Sequence, residues 1–453
     1  MKNILVKKAA VIFGLIIILM IALSMTSDVI SERSRFKQTA KHNIAKSWTG
    51  EQKLIGPVLV VPYFVEQQKT IWDKASKKDV VETSVVLRKH YMIPDQLSIE
   101  GAAKTQMRYR GMYAVPVYSS SLDVTGRFSN QDLLDKINKE TKIVSWEQPY
   151  ISVYINDSRG IPLRPNLHWQ DQLLPFISGT RLKRAGQGMH AVLPNLEVDI
   201  KKEYSFSFSI ELRGMESLSF APVGMNTEVK LTSDWPHPSF IGAYLPEQRE
   251  INADGFSATW RVSSFSSNIA QQLKTCVRKN CTNLLNNSFG VSLIQPVDVY
   301  QQSERSIKYG ILFISLTFIA FWVFEILKKL QIHPVQYLLV GFALSIFYLL
   351  LISLSEHIEF VWAYFIAAIA CTGLLGYYLA GILRSSRASV VFTGIIALLY
   401  AVLYVIICLE NTALLMGSGL LFFSLALLMG ITRNIDWYSI SSNNDTVEYV
   451  AIK

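Results

Sequence analysis

The sequence predicts an α+β membrane protein, with six transmembrane helices and one large β-rich, sandwich-like domain outside the bilayer. Three observations carry that reading. Six apolar segments each approach the roughly 20 residues that cross a hydrocarbon core of about 30 Å. Basic residues flank those segments on alternate sides. Between the first segment and the second, the chain changes to short runs of strand-like alternation.

The first apolar segment, Ala9–Met25, carries no charge. The others are Ile307–Leu327, Val335–Leu354, Val361–Leu383, Ala388–Leu409 and Thr412–Ile431. The expected organisation is an N-terminal anchor over residues 1–26 and a periplasmic β-rich domain over 27–306. A five-helix bundle over 307–432 and a cytoplasmic tail over 433–453 complete it. A basic start followed by Ala22 and Ser24 also allows a cleaved signal peptide. The apolar run is long for a signal core, which favours a retained anchor.

Orientation follows from the short connections. Lys2, Lys7 and Lys8 precede the first span, Lys328 and Lys329 follow the second, Arg384 and Arg387 separate the fourth from the fifth, and Arg433 follows the sixth. The alternate connections hold Glu356, His357 and Glu359, or Glu410 and Asn411, without Lys or Arg. Basic loops stay cytoplasmic, so both termini are expected inside and the large domain outside.

The formal net charge of +9 comes largely from residues flanking the spans. The large domain has no Lys/Arg run of the kind that binds nucleic acid, and nucleic acid is excluded as a partner. The lipid bilayer is the partner the composition demands; other envelope proteins or a second copy of the chain are further candidates. Of four cysteines, Cys371 and Cys408 fall within spans. Cys276 and Cys281 can bridge in an oxidising compartment or stand as free thiols. A zinc pair lacks partner ligands nearby.

Beyond the first span, Phe36, Ala40, Ile44 and Trp48 recur every fourth residue, which predicts a helix that Gly56 and Pro57 would stop. Val58–Val65 reads as a buried strand, and Thr70–Trp72 with Val80–Arg88 as a hairpin across a polar turn. Gln131–Glu140 is the expected short helix of the domain. In Tyr204–Leu212 every second residue is apolar, the pattern of a half-buried strand. Ser217–Phe220, Thr227–Leu231 and Phe256–Val262 read as further strands, and the spacing favours an antiparallel sandwich.

Catalytic signatures are lacking. His42, His90, His168, His190 and His237 show no close ligand spacing, and neither a phosphate loop nor a nucleophile elbow occurs; no catalytic, metal or cofactor residue is assigned, and the reading leans away from an enzyme. Arg184-Ala-Gly-Gln-Gly-Met-His190 reads first as a tight turn before a strand, and Asp157-Ser-Arg-Gly160 as a polar turn. In Asp234-Trp-Pro-His-Pro-Ser-Phe240 two prolines force an extended path, read as a structural corner that can also present a recognition loop. Trp235, His237 and Phe240 of this stretch, with Glu356 and His357 at the outer end of the third span, are the candidate interaction residues. Glu325 is expected to pair with Lys328 and Lys329 at the interface. Gly341 with Ser345, and Gly376 with Ala380, have the small-residue spacing of closely packed helices. Tyr337, Trp322, Trp362, Trp437 and Tyr438 fall near the expected interfaces.

The chain resembles the CreD family of bacterial inner-membrane proteins. The resemblance is carried by Gln52-Lys-Leu-Ile-Gly-Pro57, Asp157-Ser-Arg-Gly-Ile161, Gly186-Gln-Gly-Met-His190 and Thr232-Ser-Asp-Trp-Pro-His-Pro-Ser-Phe240. The C-terminal part adds His333-Pro-Val-Gln-Tyr-Leu-Leu-Val-Gly341, Phe347-Tyr-Leu-Leu-Leu351, Ser355-Glu-His357 and Thr432-Arg-Asn-Ile-Asp-Trp-Tyr438. Met189 and Asp234 stand where the family pattern leads one to expect Val and Asn. The resemblance implies a role in cell envelope integrity, a link to the Cre two-component regulon, and tolerance to certain colicins. It brings no catalytic or ligand residues. A non-enzymatic scaffold or interaction protein is the expected role, with a membrane enzyme or lipid-group carrier as the alternative.

Reporter fusions test the orientation. Fusions at Lys328, Arg384 and Arg433 should report cytoplasmic and those at Glu356 and Glu410 periplasmic; one connection on the wrong side overturns the six-span arrangement.

Overall fold

A computed structural model describes residues 3–73, 78–129, 143–182, 186–194, 203–279, 281–294, 298–328, 332–383, 386–409 and 413–433. It divides into two compact units, Met1–Gln38 with Val297–Lys453, and Thr39–Pro296.

In the second unit the chain forms β1 (Gln52–Asp73), β2 (Lys78–Met92), β3 (Gln96–Arg110), β4 (Tyr113–Ser129), β5 (Ile143–Trp146) and β6 (Tyr150–Ile155). There follow β7 (Asn166–Trp169), β8 (Gln172–Pro175), β9 (Ile177–Ser178), β10 (Gly188–Val192), β11 (Glu203–Met215) and β12 (Ser217–Phe220). The last are β13 (Asn226–Ser233), β14 (Pro238–Gly242), β15 (Gln248–Asn252), β16 (Gly255–Ser263) and β17 (Phe289–Leu293). One sheet runs β14–β17–β12–β1–β6–β10–β9, with β2 and β5 also paired to β1. The other runs β15–β16–β13–β3–β4–β11–β7–β8.

The two sheets share one core, as alternation demands. Tyr204, Phe206, Phe208, Ile210 and Leu212 of β11 are buried while the intervening positions face outward. They meet Leu59 and Val61 of β1, Ile151 and Val153 of β6, and Met189 of β10 in a single cluster. Trp260 lies fully buried in the same cluster, 5.7 Å from the ring of Phe240 and 5.6 Å from that of Phe289. The sandwich is mixed rather than purely antiparallel: β1 runs parallel to β12, and β3 parallel to β13. Alternation reveals which face is buried, but says nothing about the direction of the neighbouring strand.

The expected strands and the β1–β2 hairpin are present, while Gln131–Glu140 lies outside the described residues. Gly56 and Pro57 do not stop the preceding helix. Helix α1 (Asn3–Ser47) ends earlier, and β1 runs through both residues with a register shift between Ile55 and Val58. A bulge accommodates the proline, which cannot donate to a ladder. Of the four-residue stripe, Ala40 and Ile44 are buried, but Phe36 is 48% exposed.

Behind the first sheet lie two short helices, α2 (Ile269–Arg278) and α3 (Thr282–Asn286). Ile269, Leu273 and Leu284 pack on Ile55, Val58, Val60 and Tyr150. A Cys276–Cys281 bond joins one helix to the start of the next.

The first unit holds the N-terminal part of α1 with α4 (Val299–Lys308), α5 (Gly310–Lys328), α6 (Pro334–Ser355), α7 (Phe360–Leu383), α8 (Ser386–Cys408) and α9 (Ala413–Thr432). Among the described residues five helices are long and apolar enough to cross a membrane. A sixth counts if α4 and α5, bent by 41° at their junction, form one span. The second apolar segment thus starts at a bend rather than as a straight helix. Phe318, Phe321, Leu344, Phe347, Tyr364 and Tyr400 fill the bundle, and Tyr364 donates to the Tyr400 carbonyl at 2.6 Å.

Glu325 is only 4% exposed, and the side chains of Lys328 and Lys329, its expected partners, lie outside the described residues. Its carboxylate pairs with Lys8 of α1 and accepts from the Ile332 amide at 2.9 Å and the Tyr337 hydroxyl at 2.8 Å. Tyr337 is accordingly buried in the bundle. A buried carboxylate needs several donors, and these three supply them. Trp362 is exposed, while Trp437 and Tyr438 lie outside the described residues.

Gly341 explains the close approach of α1 to α6. A Cβ built on it would lie 2.2 Å from Leu19 Cδ1 and 2.9 Å from Phe318 Cζ. Gly376 plays the same part towards Thr393, whose Oγ1 would be 3.0 Å away. Gly341→Ala should therefore lower the unfolding midpoint of the detergent-solubilised protein, and Leu19→Ala should recover part of the loss in the double variant. Strictly additive effects would refute the contact.

Candidate functional site

Three of the segments that carry the family resemblance meet in the β-rich unit, at the C-terminal end of α1. The junction begins with Gln52, which opens β1 and is 1% exposed. Its amide nitrogen donates to the Asp157 carbonyl at 3.0 Å and the Arg213 carbonyl at 2.8 Å. Its oxygen accepts from the Asp157 amide at 3.2 Å. One carboxamide thus joins the start of β1, the turn after β6 and the end of β11.

Asp157 caps a single turn of 3-10 helix, Ser158–Gly160. Its carboxylate takes the Gly50 amide at 3.2 Å and a fork from Arg159, Nε at 2.9 Å and Nη2 at 2.6 Å. The hydrogen bonds from Arg159 hold the Asp157 carboxyl below its ordinary range, against the opposing effect of burial. The same guanidinium donates from Nη1 to the Lys46 carbonyl at 2.7 Å and from Nη2 to the Ala45 carbonyl at 3.2 Å. Those are carbonyls of the last turn of α1, which have no partner inside the helix and carry the negative end of its dipole. Trp48, just beyond, lies 4.2 Å from the Arg108 guanidinium and 5.1 Å from that of Arg213, in the manner of cation–π contacts. Lys41 pairs with Glu216.

The third segment joins through Ser158, whose hydroxyl accepts the Gly188 amide at 3.0 Å. The strand expected after the glycines starts at Gly188 and includes His190. His190 is 4% exposed, and its Nδ1 bonds the Gly179 carbonyl; a carbonyl only accepts, so Nδ1 carries the proton. Nε2 has no hydrogen-bond partner among the described residues. Burial pushes the His190 imidazole below its ordinary range, and Arg181 adds to that while the Gly179 bond opposes it.

His190 and Ser152 are register partners on neighbouring strands. The serine hydroxyl nevertheless donates to the Thr180 carbonyl at 2.8 Å, so it is not set up as a base-activated nucleophile. Among the described residues, no group of three His, Cys, Asp or Glu side chains is placed to hold a metal.

The family described as Inner membrane protein CreD matches residues 4–438. The chain belongs to the CreD family. Among curated proteins it is similar to Inner membrane protein CreD of Escherichia coli (strain K12), with 35% identity over 447 residues, covering 97% of this chain and 95% of that protein. As a CreD-family member the protein is an inner-membrane protein, and its apolar helices contact the lipid bilayer.

The candidate interaction residues fall in two places. Trp235, His237 and Phe240 sit in the β-rich unit at the approach to β14. The Trp235 indole donates to the His237 carbonyl at 3.1 Å and the Ile294 carbonyl at 3.2 Å. Phe240 lies within β14, edge-on to Phe256 and Trp260. His237 is exposed. Asp234, which departs from the family pattern, accepts from Thr105 at both its amide, 2.9 Å, and its hydroxyl, 2.7 Å. The stretch is a structural corner. Glu356 and His357 sit at the end of α6; Glu356 accepts from the Tyr300 hydroxyl at 3.2 Å and lies 3.7 Å from Arg33, and His357 is exposed.

Sequence reasoning missed Gln52, Arg159 as a helix cap, and the surroundings of His190. Gln52 sits between Glu51 and Lys53 and gives no local sign of burial. The bonds of Arg159 to Ala45 and Lys46 span more than a hundred positions and leave none.

A pair of glycines tests the junction. A Cβ at Gly160 would lie 2.3 Å from Gln52 Nε2 and 2.4 Å from the Arg213 carbonyl oxygen, whereas nothing lies within 4 Å of Gly186. Gly160→Ala should destabilise the β-rich unit by about 1–3 kcal/mol in denaturant unfolding, and Gly186→Ala should leave it within about 0.5 kcal/mol.

Proposed function

We propose that this CreD-family protein supports the integrity of the cell envelope as a non-enzymatic scaffold. In this reading both termini are cytoplasmic and the β-rich unit is periplasmic, as the alternation of basic and non-basic connections requires. The regulon link and colicin tolerance implied by the family resemblance belong to the same role.

One observation carries the proposal: the polar residues of the family segments bind backbone rather than face a cavity. Gln52, Asp157, Ser158 and Arg159 direct their hydrogen bonds at chain amides, chain carbonyls and each other. Such an arrangement fixes a shape for presentation. It positions no nucleophile, base or oxyanion donor around a space where a substrate could sit.

Two separate contact points are assigned: the exposed His237, on the corner that Trp235 and Phe240 anchor, and His357 beside Glu356. Each variant is tested in cells lacking the chromosomal copy, by detergent sensitivity measured beside protein abundance. His237→Ala, His357→Ala and Glu356→Gln should each reduce resistance in part at normal abundance, while Trp235→Ala should also lower abundance. Complete loss from one polar substitution at normal abundance would reject the scaffold and favour a membrane enzyme or lipid-group carrier.

A further inference from the structure

Beside His190, the outer face of the first sheet holds two cations over a single aromatic ring. Lys89 Nζ lies 5.4 Å from the centroid of Tyr150, and the Arg181 guanidinium carbon 5.7 Å from it. Lys89 also donates to the Tyr150 hydroxyl at 3.0 Å and to the Arg181 carbonyl at 3.4 Å. Among the described residues neither cation has a salt-bridge partner. Glu147 favours the charge of Lys89 only at longer range, and burial with the nearby Arg181 draws the ammonium below its ordinary range.

The positions are built rather than accidental. Lys89 stands on β2 opposite Pro62, and Tyr150 on β6 opposite Val60 and Val192, so both project from paired strands. Arg181 has left-handed backbone, φ 55°. The residue before it is held on both sides: the Thr180 carbonyl accepts from Ser152, and the Thr180 hydroxyl accepts the Leu182 amide at 3.1 Å. Tyr150 itself is pushed up to about 12 by burial and stays neutral. It can steady two cations without cancelling either.

Two like charges kept together in a partly desolvated place repel, and a dianion between them would relieve that repulsion. A phosphomonoester carries about −1.5 to −2, which matches one Lys and one Arg. The guanidinium fork takes two oxygens and the ammonium a third, while the fixed loop lowers the ordering cost of binding. We propose that Lys89, Arg181 and Tyr150 form a binding site for a phosphate group, borne either by a soluble phosphomonoester or by a lipid headgroup. The site stands independently of the scaffold reading.

The test uses the full chain purified in neutral detergent. Inorganic phosphate, glycerol 3-phosphate and phosphatidylcholine vesicles containing phosphatidic acid are titrated in turn, with pure phosphatidylcholine vesicles as the blank. Saturable binding of at least one probe is expected, weakened about tenfold or more by Lys89→Gln or Arg181→Gln and largely kept by Lys89→Arg. Arg249→Gln, on exposed β15, should change nothing. Unfolding midpoints recorded for every variant separate loss of the site from loss of the fold, and Arg181→Gln, in an exposed loop, keeps the test open if Lys89→Gln fails to fold. Binding of the soluble probes identifies a soluble ligand, and binding of phosphatidic acid vesicles alone identifies a lipid. No saturable binding of any probe, or unchanged binding in both glutamine variants, overturns the proposal.

Discussion

The last turn of any helix leaves carbonyls that its own backbone cannot satisfy, and here α1 ends where the β-rich unit begins. Arg159 meets that constraint from a turn far along the chain, and much of the local architecture follows. To bring its guanidinium to Ala45 and Lys46, the turn must be rigid, which Asp157 secures. For Asp157 to stay in place, its own backbone must be held, which Gln52 secures from β1. Gly160 leaves room for Gln52, and Ser158 passes the connection on to β10. Each polar group is satisfied by the one it positions. Removing Gln52 would leave part-buried carbonyls unpaired, at a cost larger than the worth of the bond itself.

The same logic governs the membrane unit on a smaller scale. Glu325 is a carboxylate among aromatic and aliphatic side chains, and three donors surround it. Lys8, Tyr337 and the Ile332 amide come from α1, α6 and the connection before α6. A charge in that setting selects one arrangement of helices, because any other register would strand it. Apolar packing is less demanding: Leu19 fits against Gly341 by shape alone, and neighbouring shapes would nearly serve.

What the residues revealed in advance divides along physical lines. Periodicity exposed the spans and the strands, since burial of one face repeats every two or 3.6 positions. The shared segments supplied the family. Pairing partners stayed hidden. The parallel contacts of β1 with β12 and β3 with β13 join positions with no local signal, and so do the bonds of Arg159 and Glu325. Gly56 and Pro57 misled because a breaker of helices can also sit at a strand bulge. Lys89, Tyr150 and Arg181 are scattered along the chain and become one group only after folding.

The position of β1 in its sheet carries a consequence for biogenesis. Its neighbours are β12, β6, β2 and β5, and Leu54 stands opposite Phe220 as well as Ile155. Synthesis therefore delivers this central strand first with its hairpin partner β2, and the strands β6 and β12 that flank its first half only after much more of the polypeptide has been made. During that interval Val58–Val65 can pair with any other extended segment, including the same segment of another nascent chain. A topology with such long-range contacts closes slowly. The hairpin with β2 is the one local pairing that covers an edge of this spine while translation runs on to β6 and β12.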